Sequence, residues 1–284
     1  MSLINPKAPI LVTGASGYVA GWIVKKLLEA GHTVHATVRD PNKVSSVAHL
    51  QKIASASPGT LKLFKADLLD QGAFSVPMAG CELVIHTASP FVMTGFTDAN
   101  EALVRPALEG TRNVLEAVNA TESVRRVVLT SSVAATFGDS WDARDVPGSR
   151  LDETFWNTTS SVDHQPYLYS KTVAEQEAWA MQKAQHRWDL VCINPGLVVG
   201  PALTTNSISA SITTLQQFGD GTLAMGAPCM WNGLVDVRDV ADAHIIAGFK
   251  PEASGRYILC AESLTLLDMA AALRAHFGTK YPFP

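Results

Sequence analysis

Apolar residues follow two rhythms along this chain. In the first half, short uninterrupted apolar runs alternate with longer stretches of helical spacing. Residues 10–13 (Ile-Leu-Val-Thr) read as a buried strand that stops at Gly14. Residues 22–30 have helical spacing and end at Gly31, a C-terminal glycine cap. Residues 32–39 place Val34, Ala36 and Val38 on one face of a strand. Further strands are predicted at 61–66, 83–88, 127–132 and 190–194, with helices at 106–119 and 172–185. Strands that are apolar throughout are covered on both faces, and their alternation with helices predicts a parallel sheet.

Past Pro195 the rhythm changes. Residues 197–235 are rich in Ser, Thr, Gly and Met, and short elements follow. The expected architecture is α/β: a Rossmann-type doubly wound parallel sheet with a small discontinuous C-terminal substrate lobe. The sheet domain is expected over 1–195, completed by later segments near 234–248, and the lobe over 196–233 and 249–284. Ligands of such sheets bind in the crevice at the carboxyl ends of the strands.

One turn lies at that edge. Thr13-Gly14-Ala15-Ser16-Gly17-Tyr18-Val19-Ala20-Gly21 follows a strand and opens a helix. Gly14 permits the tight turn, Gly17 lets the backbone approach a pyrophosphate, and Ala20 lets helix and strand pack closely. Unpaired N–H groups at the helix start favour an anion. Gly14, Ser16, Gly17, Tyr18 and Val19 are therefore the candidate phosphate cradle; the bland alternative is a turn without a ligand. At the end of the second strand an NAD site wants a carboxylate. Here Val38 holds that place and Arg39 follows, with Lys43 one short loop on. A guanidinium pairs a 2′-phosphate bidentately, which favours NADP(H). A solvated Arg39 beside Asp40 is the plainer reading. Asp67, with Leu68 beside it, ends another strand and is placed either to accept from an adenine amino group or to cap a turn.

Tyr167 and Lys171 are four apart in Tyr167-Leu168-Tyr169-Ser170-Lys171, so they share one helix face. A neighbouring ammonium is expected to lower the phenol pKa from about 10, which suits proton transfer. Tyr169 has Val173 at the same spacing and no such partner. Thr130-Ser131-Ser132 ends a strand at the same edge, where a Ser hydroxyl is placed to hold a substrate carbonyl oxygen. Each pattern alone is common in surface helices and strand ends.

Composition narrows the field rather than opening it. Hydrophobic residues make up 47% and charged residues 17%, which supports a substantial core and excludes a disordered chain. A net charge of −4 offers no basic footprint for nucleic acid or an acidic membrane surface. The 4 cysteines form no CxxC pair and read as reduced, intracellular residues. His32 and His35, three apart on a strand, face opposite sides, so no metal site is expected. Residues 8–24 and 190–219 carry no charge, but their glycines, prolines and asparagines argue against a signal peptide or a membrane span. A cytoplasmic monomer or homodimer acting on a small molecule is the expectation.

Taken in order, the motifs resemble the extended short-chain dehydrogenase/reductase superfamily, and within it the dihydroflavonol reductase/cinnamoyl-CoA reductase/aldehyde reductase branch. The carriers are the glycine turn, Ala36-Thr37-Val38-Arg39-Asp40-Pro41, His86-Thr87-Ala88-Ser89-Pro90, Val104-Arg105-Pro106-Ala107-Leu108-Glu109-Gly110-Thr111 and Leu129-Thr130-Ser131-Ser132. Tyr167 to Lys171, Asn194-Pro195-Gly196 and Val235-Asp236-Val237-Arg238-Asp239-Val240-Ala241 complete the series, which spans nearly the whole chain. The resemblance implies Ser132, rather than Ser131, as the catalytic serine. It implies Tyr167 as the acid, and Lys171 as its tuner and a ligand of the nicotinamide ribose. Thr87, Ala88 and Ser89 are implied to line the cofactor, and Pro195, Gly196 and Val198 to meet its carboxamide end. The implied reaction is NADPH-dependent reduction of an aldehyde or ketone.

Two places differ from the branch: Phe137 stands where dihydroflavonol reductases carry an Asn that reads ring hydroxyls, and Gln165-Pro166 precedes Tyr167 where cinnamoyl-CoA reductases have Asn-Trp. Ala107 stands where many sugar-nucleotide epimerases have Asn, which argues against an epimerase. The candidate substrate contacts are apolar: Phe91, Val92, Phe137, Leu197, Met225 and Trp231, a lining suited to hydrophobic or aromatic carbonyls. A hydroxysteroid or nucleotide-sugar dehydrogenase/epimerase, or a non-catalytic NADP-binding protein, are the alternatives on the same scaffold. Members of the branch continue several dozen residues beyond Tyr281-Pro282-Phe283-Pro284, so the lobe is expected to lack part of its C-terminal wall.

Overall fold

The computed structural model describes residues 4–90, 95–144, 146–205 and 209–284. In chain order the elements begin β1 (Ile10–Thr13), α1 (Tyr18–Glu29), β2 (Thr33–Val38), α2 (Val44–Ser55), β3 (Thr60–Lys65), α3 (Ser75–Met78) and β4 (Leu83–His86). They continue α4 (Arg105–Ala120), β5 (Arg126–Thr130), α5 (Pro166–Lys183), β6 (Asp189–Pro195), β7 (Leu197–Val199) and α6 (Ala210–Gly219). The last are β8 (Trp231–Asp236), α7 (Val237–Phe249), β9 (Gly255–Leu259), β10 (Glu262–Thr265) and α8 (Leu266–Phe277).

Seven strands form one parallel sheet in the order β3-β2-β1-β4-β5-β6-β9. Its central strands alternate between two cores. Ile10 and Val12 join the core under α1, α2 and α7, while Leu11 faces the opposite core with α4 and α5. Ile85 and Val84 divide in the same way. Both sets are buried, which is why the strands read as unbroken apolar runs. The chain crosses from β3 back past β1 to β4, so the switch in strand order lies between β1 and β4. Crevices open at such a switch point.

The sheet's last strand is β9, paired with β6 from Val191↔Gly255 to Pro195↔Leu259. This corrects the expectation that residues near 234–248 complete it. That stretch instead forms the end of β8 and helix α7, because Asp236 caps the helix by accepting from the Arg238 N–H at 2.7 Å. β8 belongs to a second sheet of three strands, β10-β8-β7. Its core is small: Phe218, Leu266, Met269 and Ala270, with Leu197 and Leu234 against them. Helix α2 has no counterpart in the sequence expectations, although Val47 and Leu50 are its buried residues.

Candidate active site

The glycine turn is shaped by what lies opposite it. Gly14 has φ 65°, and a Cβ there would stand 2.9 Å from the Ala88 Cα at the end of β4. Only glycine lets the two loops touch. Thr13 locks them together: its Oγ1 accepts from the Thr87 and Ala88 N–H groups at 3.2 and 3.1 Å. Its single hydroxyl hydrogen is then donated to His86 Nδ1 at 2.8 Å. Burial drives the His86 pKa down to about 3, so this ring stays neutral. Thr87 Oγ1 donates back to the Thr13 carbonyl at 2.5 Å.

Gly17 caps α1 in extended backbone, with no side-chain cap and no acidic residue in the first turn. The helix N–H groups are thus left to an external acceptor, and a Cβ at Gly17 would press to 3.1 Å from the Gly14 carbonyl. Tyr18 has only its backbone to offer, since its ring is buried and its hydroxyl donates to the Gly200 carbonyl at 2.7 Å. Ser16 and Val19 flank it, half-buried. Arg39 and Lys43 are exposed past the end of β2, and neither has an ion-pair partner among the described residues. Asp40 does not pair with Arg39; its carboxylate accepts from the Asn42 N–H at 2.9 Å. A crowded glycine cradle, an uncapped helix start and two open cations fit a phosphorylated dinucleotide.

The remaining expected cofactor contacts also take part in local structure. Asp67 accepts from the Leu69 N–H at 3.0 Å, an Asx turn, and its neighbour Leu68 packs beneath Gly110 of α4. Val198 is buried with Tyr18, Val235, Val237 and Val240, so only its backbone faces outward chemistry. Pro195 is buried, and Gly196 approaches Gly233 so closely that a Cβ would lie 2.1 Å from the Gly233 oxygen.

The serines at the end of β5 separate cleanly. Ser131 is buried and donates to Glu175 Oε2 at 2.5 Å, so its hydroxyl is spent. Ser132 is half-buried; its Oγ accepts from the Ala134 N–H at 3.1 Å and keeps its own hydrogen to donate. Pro166 occupies the first position of α5, where its missing N–H is no loss, and Tyr167 follows. The cap residue Gln165 has φ 55°, held by donation to Asp139 Oδ1 at 2.7 Å. One turn further, Lys171 donates to Ser89 Oγ at 2.9 Å, and its ammonium sits 5.7 Å from the Tyr167 ring centre.

The expected direction of the Tyr167 shift is overturned. Burial pushes the phenol up to about 12, and the same burial pulls Lys171 down to about 8. Removal from water disfavours the charged form of each. The outcome is a tyrosine that holds its proton at neutral pH beside a lysine near its titration point.

Of the apolar candidates, Phe91 and Val92 lie outside the described residues. Phe137 is half-buried, two residues past the turn that follows Ser132. Leu197 packs into the small lobe core. Met225 and Trp231 do not line an enclosed wall: they are 102% and 69% exposed. Glu175, Asn194 and Arg256, absent from the sequence expectations as site residues, form a buried network behind Ser132. Glu175 follows Lys171 by four on one helix face, a spacing that marks it in retrospect.

These features fit a dinucleotide-binding α/β protein whose candidate residues gather at the strand switch point. The chain belongs to the NAD dependent epimerase/dehydratase family, whose model matches residues 10–260. It is 43% identical over 277 residues to cinnamoyl-CoA reductase 1 of Petunia hybrida, covering 97% of this chain and 79% of that protein. It is 37% identical over 284 residues to tetraketide alpha-pyrone reductase 1 of Arabidopsis thaliana, covering 98% and 83%. Among solved structures, yeast methylglyoxal/isovaleraldehyde reductase Gre2 complexed with NADPH superposes with a TM-score of 0.81 at 26% identity, over 97% of this chain and 85% of that one. These relatives agree with the extended reductase branch that the motifs resemble.

Proposed function

We propose that this protein reduces aldehyde and ketone carbonyls to alcohols with NADPH. The observation that carries the reading is the meeting of α5 with the switch point. Lys171 reaches Ser89 at the end of β4, one turn from Tyr167, beside the loop that the Gly14 turn touches. When bound, NADPH supplies a hydride to the carbonyl carbon. The residues do the rest. Ser132 donates a hydrogen bond to the carbonyl oxygen and fixes its position. Tyr167, protonated because burial holds its pKa near 12, gives its proton to the oxygen as negative charge develops there. Lys171 stabilises the phenolate left behind and holds the ribose end of the cofactor. Arg39 and Lys43 pair the 2′-phosphate, and the turn from Gly14 to Val19 receives the pyrophosphate.

Phe137 and Leu197 supply apolar surface, which favours hydrophobic or aromatic carbonyls over hydroxylated rings. The relatives' names place the reaction among carbonyl reductions without selecting the substrate for this chain. We take the protein to be a cytoplasmic monomer or homodimer; no helix among the described residues is long and apolar enough to cross a membrane. A panel of aromatic aldehydes, ketoesters, diketones, dihydroflavonols, CoA thioesters and nucleotide sugars tests the reading. The expected result is NADPH consumption with simple aldehydes and ketones. Activity confined to nucleotide sugars, or tight NADPH binding with no turnover on any carbonyl, contradicts it.

A further inference from the structure

Behind Ser132 lies a buried ion pair that the proposed chemistry does not use. The Glu175 side chain is 0% exposed and that of Arg256 is 7% exposed, with Nε donating to Oε1 at 2.6 Å. Buried pairs are weak sources of stability, because desolvation offsets their attraction and an apolar pair packs as well. What this pair holds is therefore informative. Glu175 Oε2 accepts from Ser131 Oγ at 2.5 Å and from Asn194 Nδ2 at 2.8 Å. The same Asn194 amide donates to the Ser132 carbonyl at 3.0 Å. Arg256 Nη2 donates to the Ala135 carbonyl at 3.1 Å, at the other end of the turn that Ser132 caps. Arg256 Nη1 donates to the Glu153 and Phe155 carbonyls at 3.0 and 2.5 Å, and its guanidinium stacks 4.0 Å from the Trp156 ring centre. The segment from Ser131 to Ala135 is thus gripped at both ends by one carboxylate and one guanidinium.

A second consequence concerns Lys171. Glu175 lies one turn beyond it on the same helix face, and both line a cavity of about 20 Å³ with His86 and Ser131. The charged and titratable groups facing Glu175 are Arg256 from β9, Lys171 from α5, His86 from β4 and Cys192 from β6. His86 and Cys192 are neutral, since burial lowers the one and raises the other. An unbalanced carboxylate here would draw the Lys171 ammonium inward. Arg256 cancels that charge and leaves Lys171 directed at Ser89.

We propose that the Glu175–Arg256 pair is the positioning device of the active site, aligning Ser132 through Asn194 and the Ala135 carbonyl while keeping Lys171 free for the cofactor. The inference rests on the roles proposed above for Ser132 and Lys171.

Steady-state kinetics across pH on the full chain test it, with thermal melting and NADPH binding measured in parallel. Glu175→Gln keeps an acceptor oxygen but leaves the Arg256 cation unbalanced. The expected result is a fall in kcat of about tenfold or more, with KM for NADPH within about twofold. The alkaline limb of kcat moves to lower pH, because an uncompensated cation disfavours the Lys171 ammonium. Arg256→Lys retains the charge but loses the fork; kcat falls by a smaller factor and the limb stays in place. It also serves if Glu175→Gln does not fold, since Arg256→Lys with wild-type kcat overturns the proposal by itself. A lowered melting temperature with unchanged kcat and an unmoved limb in Glu175→Gln likewise overturns it. Tyr167→Phe separates the two levels: if that variant turns over, the site reading fails. If it is inactive while Glu175→Gln behaves as wild type, only the positioning role fails.

Discussion

The seven-stranded sheet and the three-stranded sheet divide the work of this molecule unequally. β1 and β4 are buried at every residue, whereas β10 has none buried and β8 one. At the centre of the large sheet both faces are covered, so a strand end there is fixed by its neighbours on all sides, whereas the outer strands β3 and β9 have no buried residue. That rigidity places Gly14, Thr87 to Ser89 and Ser132 at one edge with little freedom. In the small sheet two modest clusters, one around Phe218 and one joining Val198 and Val235 to Tyr18, hold the elements together, and Trp231 and Met225 are exposed. Precision suits proton and hydride transfer, where small displacements cost orders of magnitude. A looser lobe suits a pocket that accepts many apolar shapes. On the reading proposed above, the chemistry sits at the edge of the large sheet and substrate shape is read in the lobe.

Four substitutions break or sharpen that contrast. The largest effect is expected from Tyr167→Phe, which removes the transferable proton: kcat should fall by about 10³-fold while NADPH still binds, as read by cofactor fluorescence. Next is Lys171→Met. Activity should drop by about 10²-fold, yet the melting temperature should rise, because an ammonium whose pKa burial lowers to about 8 is unfavourable in the folded state. The sign follows from linkage: between about pH 8 and the usual lysine value the unfolded chain binds more protons, so this group's burden on stability is largest below pH 8 and eases as pH rises. Wild-type kcat should accordingly fall on the alkaline side near pH 8. Arg39→Ala should raise KM for NADPH by about tenfold, the worth of a charge-assisted bond, and leave KM for NADH nearly unchanged; equal changes in both would remove Arg39 from the 2′-phosphate. The smallest catalytic effect is expected in the lobe. Phe218→Ala opens a cavity worth about 3–5 kcal/mol in that core, so KM for the carbonyl should rise severalfold while NADPH affinity holds. Loss of NADPH binding in Phe218→Ala, measured by titration, would show that the two regions are not separable.

The same contrast decides what was legible in the sequence. Strands buried on both faces announce themselves as apolar runs, and the glycine turn and the Tyr167–Lys171 spacing are local patterns that survive without tertiary context. β9 did not stand out, because a short strand with Arg256 inside it reads as lobe rather than core. Glu175 and Arg256 are 81 positions apart, and no local spacing links them. The raised Tyr167 pKa has a related origin: spacing along the helix reports the nearby lysine, while the desolvation that raises the phenol depends on the whole fold. The exposure of Met225 and Trp231, 102% and 69%, is likewise set by the surrounding lobe and not by local sequence.

On the proposed reading, hydride reaches a carbonyl carbon held between Ser132, past the end of β5, and Tyr167 of α5. Turnover of an aromatic aldehyde with NADPH carrying deuterium at the transferable nicotinamide position, followed by mass spectrometry of the alcohol, tests this directly. One deuterium on the carbinol carbon, lost together with turnover in Tyr167→Phe, is the predicted result. Oxidation of the labelled cofactor without a deuterated alcohol, or undiminished transfer in Tyr167→Phe, would contradict it.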